Sequence, residues 1–195
     1  MNVPDAAEII KGLTDLPLAI IAGVFFILLK KRGAGRDWTM LFFYIFIAGL
    51  LGCVAHSFTL GKFSHRALWL LLFPVMFELV TVFTELVYEL DGDGEFLPEK
   101  LRRTEMIFLV IAEVLTVAYF RAAIYSFAAY GAVLAFYLIW LVRNNKKLAE
   151  RLLTPTVLIV AALVLQIFKA VIPGGTAVAH ILLCVALFFT YRLAE

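Results

Sequence analysis

Between Asp37 and Lys62 no residue carries a full charge, and stretches of the same kind recur along most of the 195 residues. An α-helix rises 1.5 Å per residue, so about 20 apolar residues span the hydrocarbon core of a bilayer. Seven stretches meet or approach that length: Leu13 to Leu29, Trp38 to Leu60, Ala67 to Tyr88, Thr104 to Tyr119, Ala122 to Val142, Pro155 to Val171 and Thr176 to Tyr191. The apolar residues form unbroken runs instead of the alternation of an outer-membrane barrel. Hydrophobic residues make up 64% of the chain and charged residues 16%, against about half and a quarter in soluble domains, which excludes an ordinary soluble fold. The expected fold is all-α, a polytopic transmembrane bundle of seven helices forming a single domain over residues 1–195.

The fourth stretch is short and holds Glu105 and Glu113. Only Phe120 and Arg121 separate it from the fifth, so two full spans require a tight turn there. Six spans with one re-entrant segment form the alternative. Pro173, Gly174 and Gly175 mark a sharp reversal between the last two spans. Lysine and arginine are retained on the cytoplasmic side of short loops. Lys30, Lys31, Arg32 and Arg36 follow the first span, Lys100, Arg102 and Arg103 the third, Arg143, Lys146, Lys147 and Arg151 the fifth, and Arg192 the last. That pattern predicts an outside amino terminus and a cytoplasmic carboxyl terminus. The first residues lack the positive flank and cleavage pattern of a signal peptide, so the first span is expected to stay as an anchor. The expected location is a bacterial inner membrane, with membrane lipid as the surrounding partner. A net charge of +2 spread over short loops argues against nucleic-acid binding. Nothing in the sequence sets an oligomeric state.

Polar residues within such spans are costly and mark functional positions. In the predicted topology Asp15, His56 and His180 stand at nearly one depth on the outer side, with Lys169 close by. His56 has Cys53 three residues before it and His180 has Cys184 four residues after it, which places each pair on one helix face. A closed Cys2His2 zinc site is one arrangement these residues permit. Another uses His56, His180 and Asp15 as ligands and leaves water in a fourth position, where the ion would activate it for hydrolysis of a lipid ester or amide. Thr14 or Ser57 would then bond a ligand or intermediate, and Lys169 would hold a phosphate or carboxylate. The plainer account makes both histidines neutral and bonded to backbone, with Asp15 at a helix start between Thr14 and Pro17. His65 is placed in an outer loop over 61–66. Cys53 and Cys184 otherwise read as small hydrophobes.

Glu78 and Glu85 lie seven residues apart on one face of the third span, and Glu113 would extend them into a ladder of acids able to carry protons or cations. Pro74 is expected to kink that helix near Glu78, and Arg121 to neutralise Glu113. Gly49 and Gly52 on the second helix, and Ala128, Gly131, Ala132 and Ala135 on the fifth, supply small surfaces for close helix contact. The acidic turn from Asp91 to Glu95 lacks a full calcium-loop pattern.

Three fragments carry a family resemblance: Leu13-Thr14-Asp15, the run from Gly52 through His56 to Phe58, and the run from Thr176 through His180 to Leu183. With the span number, they make the chain resemble the seven-helix membrane group of alkaline ceramidases and progestin/adipoQ-type receptors, and small bacterial relatives of that group. The resemblance implies a zinc ion that activates water against a lipid amide, with His56 and His180 as ligands. The second member of the final histidine pair would fall at Thr176, a poor zinc ligand. Ser57 stands outside the group's serine position, and Glu78 loosely replaces its third-helix acid. Three functions follow as expectations: a metal-dependent lipid hydrolase in which Asp15, Ser57 and Glu78 take catalytic parts, a transporter or channel for a small solute or ion, and a noncatalytic binding or structural protein.

Overall fold

A computed structural model describes residues 6–57, 62–91, 97–167 and 175–194, and all regular structure among them is helical. The helices are α1 (Ala6–Arg32), α2 (Arg36–Ser57), α3 (Lys62–Asp91), α4 (Leu97–Asn144), α5 (Lys146–Ile167) and α6 (Gly175–Leu193). Three helices contain stretches long and apolar enough to cross a membrane, Arg36–Ala55, Ser64–Leu90 and Tyr125–Asn144. Lipid-exposed backbone must satisfy its hydrogen bonds internally, which is why such sequences fold as continuous helices. Apolar side chains also line the outward faces. On α1, Leu13, Ile20, Val24 and Ile27 fall on one exposed stripe, and on α4 Met106, Val110, Val114 and Val117 do the same. Stripes of that extent face lipid. The protein is an integral, multi-pass membrane protein.

α4 is not one rod. Its backbone leaves helical geometry at Tyr119 (φ −148°, ψ 79°). In a straight helix Phe108 and Ser126 would stand about 27 Å apart. Instead Ser126 Oγ donates to the Phe108 carbonyl at 2.9 Å, and the Phe108 and Tyr130 rings lie 5.8 Å apart. The chain therefore reverses at Tyr119, as the short spacer before residue 122 predicted, and two arms pack as a helical hairpin. The break frees carbonyls at the end of the first arm, and Arg66 NH1 supplies a donor to one of them, Val117 O, at 3.0 Å. Counting each arm of α4 gives seven helical segments among the described residues.

The chain divides into two compact units, residues 1–59 with 149–195, and residues 60–148. In the second, α3 packs on the α4 hairpin around Phe73, Phe77, Leu101, Ala112, Ala123, Tyr130 and Leu134. Phe77 stacks on Tyr130 at 5.0 Å, and the Tyr130 hydroxyl bonds Thr81 Oγ1. Interhelical hydrogen bonds of this kind contribute about 1 kcal/mol. Tyr130→Phe is expected to cost about that much, read as a lower unfolding midpoint in detergent.

In the first unit α1 packs against both α2 and α6. Small residues let α1 and α2 approach closely. A Cβ added at Gly49 would lie 3.0 Å from Ala19 Cβ and 3.1 Å from Ala19 N, and one at Gly23 would lie 3.1 Å from the Phe46 ring. At Gly49 the obstacle is backbone, which cannot swing aside, so Gly49→Ala must push the helices apart. Overpacking of this sort costs about 1–3 kcal/mol, and a matching fall in thermal midpoint is the expected result. At one end of α1, Phe25 stacks on Tyr191 of α6 at 4.3 Å and meets Phe42 of α2 edge-on at 5.6 Å.

Several expectations change. Asp15 does not start a helix, because α1 begins at Ala6 and runs through Asp15 and Pro17. His65 lies within α3, not in a loop, and its Nε2 accepts from Trp69 Nε1 at 3.1 Å. α3 continues through Pro74. The basic fifth loop shrinks to Asn145, whose Oδ1 accepts from Leu148 N at 3.0 Å and caps α5. The small surface on the fifth span does not bury: Ala128, Ala132 and Ala135 are exposed, and nothing stands within 4 Å of a Cβ added at Gly131. The expected reversal at 172–174 and the acidic turn over 92–95 lie outside the described residues.

Candidate functional site

Opposite the aromatic end of the first unit, ten residues back along α1, Asp15 sits where three helices meet. Its Oδ1 lies 3.1 Å from His180 Nε2 of α6, and its Oδ2 would lie 3.1 Å from a Cβ at Gly52 of α2. The absence of a side chain at Gly52 is what leaves room for the carboxylate. Asp15 is only 8% exposed, and its Oδ2 has no hydrogen-bond partner among the described residues. A buried carboxylate oxygen without a donor is costly, on the order of 1–3 kcal/mol, and needs a reason.

Common depth was the sequence argument for grouping Asp15 with His180. The structure adds what depth lacked, because the two side chains face each other across the α1–α6 contact. His56 belongs to α2 about one turn beyond Gly52, which puts the two positions on the same helix face. The side chains of His56, Ser57, Thr14 and Thr176, and the whole of Lys169, lie outside the described residues. Cys53 and Cys184 are half-buried and in no disulfide. Among the described residues no group of three or more His, Cys, Asp or Glu side chains is arranged to hold a metal ion, and both expected zinc sets include His56, whose side chain lies outside them.

Glu78 lies in the second unit, where it joins a different cluster. Arg102, near the start of α4, donates from Nε and NH2 to the two oxygens of Glu85 at 2.9 and 2.7 Å, and from NH1 to Glu78 at 2.6 Å. NH1 also reaches Glu105 Oε2 at 3.3 Å. The sequence argument treated Arg102 as a loop charge and missed this role. Its signal was modest: Arg102 and Glu105 are spaced three apart on a helix, opposite two acids seven apart on another. Burial works against the Arg102 charge, but the hydrogen bonds to Glu78 and Glu85 outweigh it and hold its pKa above its already high ordinary value. The third rung of the expected ladder, Glu113, has a buried Oε1 without a hydrogen-bond partner among the described residues, and the Arg121 side chain lies outside them.

A family described as a family of unknown function, DUF6962, matches residues 10–195. The chain belongs to that family. No curated protein and no solved structure matches it. The matched range takes in Asp15, Gly52, His56 and His180, and also the Arg102 cluster.

Proposed function

We propose that the protein is a metal-dependent membrane hydrolase that cleaves a lipid amide or ester, with its centre at Asp15, His180 and His56. The observation that carries the reading is the Asp15–His180 pair, a carboxylate 3.1 Å from an imidazole, with its second oxygen buried and without a hydrogen-bond partner among the described residues. Zinc–ligand bonds of about 2.0–2.1 Å put two ligands of one tetrahedral ion about 3.3 Å apart, so the observed separation suits two donors to a shared ion. The third donor in this reading is His56, from the helix face that holds Gly52. Zinc there would supply Lewis acidity toward the scissile carbonyl and toward water. Asp15 and His180 would each offer that ion one donor atom. Ser57 would bond the substrate headgroup side.

The resemblance to the ceramidase and adipoQ-receptor group points to the same substrate class, a lipid with an amide or ester bond. In this reading the site faces the outer side of seven spans in a bacterial inner membrane, the orientation that the basic residues between the spans favour, and such a lipid would enter laterally.

Elemental analysis of purified protein, wild type and His180→Ala, tests the reading together with a fatty-acid release assay on lipid amides and esters. About one zinc per chain is expected in the wild type, lost with hydrolysis in the variant. Zinc retained in His180→Ala, or a zinc-supplied wild type that binds none, would sink it.

A second reading has its own observation. Arg102 gathers Glu78 and Glu85 on one guanidinium, which favours a structural part for those acids over separate steps of an ion ladder. A proteoliposome proton or cation flux abolished by Glu78→Gln would restore the transport reading.

A further inference from the structure

The Arg102 cluster holds more acid than base. Glu78, Glu85 and Glu105 converge on one guanidinium, a formal excess of two negative charges if all three are ionised. A divalent ion would offset that excess only if the carboxylates pointed at a common centre, and among the described residues no such group is found. Protons are the other way to offset it.

The hydrogen-bond inventory shows where a proton fits. Glu105 is 4% exposed, the most buried of the three acids, and its Oε1 has no hydrogen-bond partner among the described residues. Its Oε2 lies 3.3 Å from Arg102 NH1, an atom that already serves Glu78 at 2.6 Å. The Nε and NH2 groups of Arg102 are committed to Glu85. The groups facing Glu105 from the packed elements are Glu78, Thr81 and Glu85 of α3, Tyr130 of the second arm of α4, and Arg102 of its own arm. Thr81 Oγ1 gives its only hydrogen to the Phe77 carbonyl at 2.9 Å. The bond between Thr81 and Tyr130 must then use the tyrosine's hydrogen. Among the described residues no donor reaches Oε1 as a carboxylate oxygen. As an O–H, that atom carries no charge to be compensated, and the negative excess of the cluster falls by one.

We propose that Glu105 is a proton-binding site, held as the neutral acid within the Arg102 cluster, whose proton decides how Arg102 divides its grip between α3 and α4. With the proton on, NH1 stays with Glu78 and ties the two helices together. When the proton leaves, the new charge on Glu105 draws NH1 away from Glu78 and onto its own helix. The exchange route is the side of Glu78, whose side chain is 35% exposed against 5% for Glu105. This site is independent of the Asp15–His180 reading, and either can fail without the other.

Infrared spectroscopy of the full chain in lipid nanodiscs reads the proton directly through the carboxylic C=O stretch. The wild type at neutral pH is expected to show a protonated-carboxyl band that is lost in Glu105→Gln, kept in Glu113→Gln and Glu78→Gln, and removed reversibly in the wild type at high pH. Loss of the band in Glu113→Gln or Glu78→Gln with Glu105→Gln unchanged would overturn the assignment, as would a wild type with no protonated carboxyl. If Glu105→Gln fails to fold, Glu105→Asp serves: a shift in the frequency or the titration midpoint of the band supports the site, and an unmoved band refutes it.

Discussion

Replacing Arg102 with methionine is expected to destabilise the protein by about 2–3 kcal/mol, read as an equilibrium shift in unfolding in mild detergent. Breaking a fully buried ion pair by removing one partner costs about 3–5 kcal/mol, because the other charge is left without compensation. Arg102 and Glu78 are not fully buried, with side chains 39% and 35% exposed, and screening at an open site lowers the figure. Glu85 makes the opposite contribution, since its side chain is 10% exposed and it loses both partners of a bidentate bond at once. Lysine should recover only part of the loss. Its ammonium is a point charge that cannot serve both oxygens of Glu85 while reaching Glu78. Adding Glu78→Gln and Glu85→Gln to Arg102→Met should return most of the stability, because the cost lies in the stranded charges and not in the missing side chain. A midpoint unchanged in Arg102→Met would mean that the cluster adds nothing to the α3–α4 contact.

That cluster also shows where reading the sequence reached its limit. The apolar runs were enough to place the helices, since span length and hydrocarbon thickness leave little choice for an uncharged stretch such as Trp38 to Leu60. The turn at Tyr119 was legible for a similar reason: two spans joined by two residues must reverse tightly. Gly49 and Gly52 were legible because small residues at that spacing permit close approach, and α1 takes it. Which helices pair, and in what register, is not written locally. Arg102 looked like an inside-loop charge because its partners lie 17 and 24 residues earlier, on a helix whose packing against α4 depends on the whole hairpin. The same limit made Asp15 look like a helix start. Thr14 and Pro17 carry that local signal, but the weaker apolar residues before Leu13 continue the helix back to Ala6 and leave Asp15 within it.

Removing the Asp15 carboxylate should separate function from stability. In Asp15→Ala the buried, unmatched Oδ2 disappears along with the contact to His180. A carboxylate kept only for folding would be missed. One kept for a ligand leaves behind a stability that is unchanged or higher, since the desolvation of an incompletely bonded charge no longer has to be met. With both proteins stripped of metal, we expect the stability of Asp15→Ala to stay within about 0.5 kcal/mol of the wild type or to rise, while zinc binding and lipid hydrolysis are lost. Gly52→Ala probes the same carboxylate from the other side. Its new Cβ would stand 3.1 Å from Oδ2, an atom at the end of a side chain, so Asp15 must turn by a few tenths of an ångström while the helices stay in place. Disturbing the orientation of a metal ligand lowers affinity or activity by about 10–100-fold, and that is the expected loss for Gly52→Ala. The contrast with Gly49→Ala is the decisive comparison, because one turn away the same added methyl meets the α1 backbone and should cost stability with the site chemistry retained. A loss of about 2 kcal/mol or more in Asp15→Ala, with zinc content unaltered, would instead make the Asp15–His180 pair a packing device.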